Sequence, residues 1–70
     1  MGLSNRVRYF RFMRNELSQA ELADKVSVSR QTIVAIEKGN YNPSVELALR
    51  LAKVLDTTVE ELFVIEEVEA

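Results

Sequence analysis

The 70-residue chain contains no cysteine and no histidine. That excludes disulfides, thiolate chemistry, imidazole catalysis and the usual zinc sites. No apolar run approaches the roughly 20 residues of a membrane span, and the N-terminus lacks the charged-then-apolar layout of a signal peptide. A cytoplasmic protein is expected, with no membrane, metal, cofactor or small-molecule ligand to infer. Proline occurs once and glycine twice, so these few breakers carry positional information. A chain of this length is read as one domain over residues 1–70. At that size a single core leaves only about 3–5 kcal/mol of stability unless oligomerisation adds to it.

What the chain has in abundance is helix caps. Ser18 can cap free backbone N–H groups while Glu21 reaches back in a capping box, and Leu22, Ala23 and Val26 then recur at helical spacing. Ser27-Val28-Ser29 breaks the rhythm. Ser29 can cap a second helix from Arg30 to about Lys38, which Gly39 stops by turning left-handed. Residues 18–39 thus form two short helices joined by a tight turn.

In the second of these helices Ile33 and Ile36 face one way, while Arg30, Gln31, Val34, Ala35 and Lys38 follow i, i+1, i+4, i+5, i+8 and face the other. Arg and Gln are the side chains that pair bidentately with guanine and adenine edges in the major groove. Ala35 permits close approach, and Val34 suits a thymine methyl. Standing alone, an Arg-Gln pair at a helix start is ordinary surface; its place in a complete motif makes it a DNA-reading candidate.

The net charge of −2 hides an asymmetry. Residues 1–44 hold seven cations against four acids, +3, and residues 45–70 hold two against seven, −5. A basic side for DNA and an opposite acidic side follow.

Elsewhere, Ser4 is expected to cap a helix of about Asn5 to Arg14, with Val7 and Phe10 inward and Asn15 closing it left-handed. Tyr9, Phe12 and Met13 make that helix apolar over more than one face, so either a wider core or a partner covers them. Pro43 and Ser44 open a helix of about Val45 to Leu55, with Leu47, Ala48, Leu51, Val54 and Leu55 inward. Thr58 with Glu61 repeats the capping box ahead of a short helix to about Phe63. The β-branched tail Val64 to Val68 suits a short strand; an unstructured acidic end past Glu66 is the alternative.

With LSQAELADKV, SRQTIVAIEKG and YNPS in this order, the chain resembles the lambda-repressor-like, Cro/C1-type (XRE) helix-turn-helix regulators from about Asn5 to Phe63. The resemblance implies an all-α, five-helix DNA-binding domain, with room for a C-terminal strand that pairs with an N-terminal one in a two-fold dimer. It implies Arg30, Gln31 and Ala35, beside Val34, at base-reading positions. Gln19, Ser29 and Thr32 would meet phosphate, and Lys38, Asn40 and Tyr41 would grip the backbone after the recognition helix. It also implies an ion pair between Arg11 and Glu37. Family members often carry Gly in the turn where this chain has Ser27, and a serine is tolerated there if its backbone is not left-handed.

The expected function is a homodimeric transcriptional regulator, a repressor by occupancy, that binds double-stranded DNA at a palindromic operator. Leu62, Phe63 and Ile65, within a tail of about 59–68, are expected to form the dimer surface. The alternative is a protein-interaction module or antitoxin-like partner built on the same scaffold, using the acidic tail or exposed Tyr9 and Phe12. An enzyme is not expected, because Ser18, Ser29, Ser44 and Thr58 read as caps and the carboxylates occupy caps and solvated faces. The adjacent Glu60 and Glu61, like Glu66 and Glu67, do not converge on one cation.

Overall fold

Seven short elements alternate with tight, capped joints: β1 Gly2–Asn5, α1 Val7–Met13, α2 Gln19–Lys25, α3 Arg30–Lys38, α4 Val45–Val54, α5 Val59–Leu62 and β2 Phe63–Glu66. The computed structural model describes residues 2–66. The end of the expected tail, Glu67 and Val68, lies outside them.

Local chemistry accounts for most helix starts. Ser18, Ser29, Ser44 and Thr58 each accept the backbone N–H three residues on, which satisfies donors a helix cannot pair internally. At Ser18 the box is complete, since Glu21 accepts from the Ser18 N–H at 2.9 Å. At Thr58 only half of it forms, because the Thr58 hydroxyl donates to the Glu61 carboxylate at 3.4 Å.

The start of α1 differs from expectation. Ser4 is not its cap but a β1 residue, whose hydroxyl donates to the Val64 carbonyl at 3.3 Å. The N-cap is Arg6, which makes no side-chain cap bond; the Asn5 side chain before it accepts from the Val7 N–H at 3.2 Å while its amide donates to the Ile36 carbonyl at 2.8 Å. Pairing with a distant strand fixes Ser4 and Asn5 as extended backbone, which delays the helix to Val7. That strand is β2, antiparallel to β1, with Gly2 opposite Glu66, Leu3 opposite Ile65, Ser4 opposite Val64 and Asn5 opposite Phe63.

Three helices end in the same way. The N–H groups of Val28, Asn40 and Thr57 bond back to the carbonyls of Ala23, Ala35 and Ala52 at 3.0, 2.9 and 2.9 Å, around a left-handed residue in each case: Ser27 (φ 62°), Gly39 (φ 81°) and Asp56 (φ 54°). This is the Schellman closure, in which a residue without Cβ fits at least cost. Ser27 is therefore left-handed, contrary to the conformation in which serine sits easily, and the turn carries that strain. Asn15 (φ 60°) closes α1 as expected, and Glu16 (φ 51°) is left-handed as well.

The core gathers Val7 and Phe10 of α1, Leu22, Ala23 and Val26 around α2, Ile33 and Ile36 of α3, Leu47, Leu51 and Ala52 of α4, then Leu55 and Leu62. Two expectations fail against it. Tyr9, Phe12 and Met13 are more than half exposed, so no wider core covers them; Val7, Phe10 and Arg11 already fill the inward side of two helical turns. Leu62 is fully buried within the single chain, so it has no surface to offer the expected dimer. Of the other expected dimer residues, Phe63 is half-buried and Ile65 exposed.

Candidate nucleic-acid interface

The outward side of α3 is positioned from behind by a buried ion pair. Arg11 donates from Nε to Glu37 Oε2 at 2.7 Å and from Nη2 to Oε1 at 3.2 Å, and its Nη1 donates to the Leu17 carbonyl at 2.8 Å. Both side chains are 9% exposed. Removing either partner would leave an uncompensated buried charge, while the pair itself contributes orientation more than net stability. With the Asn5 bond to Ile36, it fixes the C-terminal half of α3 to the first helix.

Glu37 also accepts from Gln19 Nε2 at 3.1 Å, and Gln19 Oε1 accepts from Arg30 Nη2 at 3.4 Å. A polar chain thus runs from Arg11 through Glu37 and Gln19 to the first residue of α3. Gln19, expected at phosphate, is engaged by protein at both ends of its amide. The 3.4 Å contact is long enough to be weak, which leaves Arg30 free to turn outward.

The remaining candidates divide into two strips. Ser29, Gln31, Thr32, Ala35, Asn40 and Tyr41 line one open groove between α3 and the segment after it. Gln31, Asn40 and Tyr41 are exposed there. Ser29 is occupied as a cap, its hydroxyl taking the Thr32 N–H at 3.2 Å and lying 3.0 Å from the Thr32 hydroxyl. Arg30, Val34 and Lys38 form the second strip at i, i+4, i+8; Arg30 and Lys38 are exposed and Val34 half-buried. No acidic side chain stands in the first turn of α3, so nothing on the helix neutralises the partial positive charge of its N-terminus.

Sequence reasoning missed a second surface. Leu3, Pro43, Val45, Ala48, Leu49, Val59 and Phe63 line an apolar cleft, and Val45 and Leu49 are largely exposed. The signal was available in part: Val45 and Leu49 lie one turn apart, off the inward stripe of α4. Among the described residues no group of acidic side chains is arranged to hold a metal ion, and no helix is long and apolar enough to cross a membrane.

Comparison with known proteins gives the same outline. A helix-turn-helix family model matches residues 10–62. An uncharacterized HTH-type transcriptional regulator of Methanocaldococcus jannaschii is 46% identical over 65 residues, 93% of this chain and 97% of that protein. Among solved structures, the restriction-modification controller protein C.AhdI from Aeromonas hydrophila superposes with a TM-score of 0.71 at 34% identity, covering 80% of this chain and 83% of that one. The biofilm master regulator SinR, in complex with DNA, gives 0.69 at 30% identity, covering 79% of this chain and 87% of that one. Other solved chains of this fold are longer, and this chain spans about half of them.

Proposed function

Because the chain belongs to the helix-turn-helix family of transcriptional regulators, whose members bind DNA and are not enzymes, we propose that it is a homodimeric repressor reading a palindromic operator with α3. Arg30, Gln31, Val34 and Ala35 would face base edges. Gln19, Ser29, Thr32, Lys38, Asn40 and Tyr41 would meet phosphate, Gln19 by exchanging a protein partner for a phosphate oxygen. Occupancy of the operator would itself block transcription, and the protein would act in the cytoplasm beside the chromosome.

The observation that carries this reading is the convergence of Gln31, Thr32, Ala35, Asn40 and Tyr41 on one open groove, in a fold shared with a DNA-bound regulator. The dimer surface is redrawn to omit Leu62. It joins Ile65 and Leu3, paired across the sheet, to the apolar cleft at Val45, Leu49, Val59 and Phe63, and so extends beyond the tail of about 59–68 to β1 and α4. Two-fold symmetry would set the half-sites about 34 Å apart, and pairing two weak modules would raise affinity.

Selection from random duplex DNA tests the proposal. An inverted repeat with that spacing is expected, and failure to enrich any sequence would refute it. Sedimentation should give a dimer that Ile65→Asp dissociates; an 8.0 kDa monomer at high micromolar concentration would refute the dimer alone. The second reading, a protein-interaction module or antitoxin-like partner, is favoured by one observation, the exposed aromatic face of α1.

A further inference from the structure

We propose that the outward face of α1 is a docking surface for an acidic, amphipathic segment of another protein. Opposite the inward residues Val7, Phe10 and Arg11, the helix presents Tyr9, Phe12 and Met13, which are 56, 53 and 57% exposed. Singly such residues are unremarkable on a surface, but three within two turns form a patch. Arg6 and Arg8 flank it, and α1 contains no acidic residue.

The patch is preformed. The guanidinium groups of Arg8 and Arg11 lie 5.7 and 5.6 Å from the centre of the Phe12 ring, within the range of cation–π attraction. Tyr9 meets the edge of Phe10 with ring centres 5.1 Å apart, which anchors it to the core. An aromatic held in place loses little side-chain entropy on binding, so its contact area converts more fully into affinity. Arg11 is satisfied by Glu37 and Leu17, whereas Arg6 and Arg8 have no acidic partner among the described residues.

The chemistry of this face selects its occupant. Apolar side chains ringed by arginine suit an amphipathic segment with aromatic or aliphatic residues on one side and carboxylates at its margins. A nucleic-acid backbone would pair the arginines and leave Tyr9, Phe12 and Met13 uncovered. Two helical turns offer little apolar length to a bilayer. A second copy has a separate apolar surface, the cleft at Leu3, Val45 and Phe63, to which α1 contributes no residue. The chain's own β2 runs the other way, since its register carries Glu66 to Gly2, the end of β1 remote from α1.

A display library of random 16-residue peptides, selected on the whole protein with excess random-sequence duplex DNA present to occupy α3, tests the proposal. The expected peptides carry net negative charge with apolar residues at helical spacing. Their binding should weaken at least tenfold with Phe12→Asp, and comparably with Arg8→Glu, and should fall with added salt. Both variants should keep a cooperative thermal melt, lowered by no more than the cation–π contact they remove, and the parent's sequence preference for DNA. No enrichment, peptides without acidic excess, or peptides that bind both variants as well as the parent would overturn it. So would binding of anionic phospholipid vesicles in place of the peptides, or a dimer that Phe12→Asp dissociates.

Discussion

Two helix-turn-helix units with the same joint occur in this chain, and only one is proposed to read DNA. Between α2 and α3 the joint runs Val26, left-handed Ser27, Val28 and the cap Ser29. Between α4 and α5 it runs Leu55, left-handed Asp56, Thr57 and the cap Thr58. Past the joint the units part. α3 has nine residues, no acid in its first turn and Arg30, Gln31 and Lys38 outward; α5 has four, with Glu60 and Glu61 in the first turn. Those acids complement the helix dipole but would repel a phosphate. The joint is thus a general way to set two helices at an angle, and the length and outward chemistry of the second helix separate reader from support.

The first helix braces both units, and the sharpest way to test the comparison is to cut each brace. Arg11 reaches Glu37 in the first unit, while Arg14 donates to the carbonyls of Leu55 and Asp56 at 2.9 and 3.1 Å in the second. Arg11→Ala is expected to cost about 3–5 kcal/mol, because Glu37 is left buried and unpaired. Arg14→Ala, which frees partly solvated carbonyls, should cost about 1 kcal/mol. Urea denaturation measures both, and equal losses would erase the asymmetry between the units. Next, Gln31→Ala is expected to weaken operator binding by about 1–3 kcal/mol and relax specificity at one base pair, whereas Glu60→Gln should change it by less than about 0.5 kcal/mol. Fluorescence anisotropy on operator and random duplexes separates them, and a Gln31→Ala loss equal on both duplexes would contradict base reading.

Smaller effects probe the joints. Ser27→Gly should stabilise the protein by about 0.5–1 kcal/mol by relieving a left-handed serine; Asp56→Gly should do less, since aspartate tolerates that conformation better. Thermal melts of the two variants rank them. The least effect concerns the complete capping box. The Ser18 backbone N–H, then its hydroxyl, hold the Glu21 carboxyl below the ordinary glutamate range. Its contribution is therefore present above the unfolded value and lost as pH falls through the depressed folded one. An NMR titration of the Glu21 side chain should show a midpoint lowered in the parent and raised only part of the way by Ser18→Ala, which removes the hydroxyl and keeps the backbone N–H.

Most helix boundaries were legible because they are written locally. A hydroxyl three residues before its N–H, a glycine at a stop and apolar residues at helical spacing place α2, α3 and α4 without tertiary knowledge. The start of α1 was not legible in this way: Ser4 looks like a cap until β2, far along the chain, claims it for a sheet. The core position of Leu62 was hidden for the same reason, since its burial depends on core residues of the other helices arriving from elsewhere. At the candidate interface, the residue types and their spacing on α3 were readable. The double engagement of Gln19 was not, because it requires Glu37 and Arg30 to meet a different helix.

The hydrogen bond between Ser4 and Val64 spans 60 positions, and that distance has a kinetic meaning. Capped helices close over a few residues, whereas a sheet joining such remote segments must first meet the entropy of closing a long loop. β1 and β2 are therefore expected to zip last, after the helices have packed. The pairing of Leu3 with Ile65 completes the surface proposed for the dimer, so each protomer would acquire its partner-binding competence only at the final step of its own folding. Assembly would then be timed by the slowest contact in the chain, and half-folded copies would be screened out of the regulator before they reach an operator.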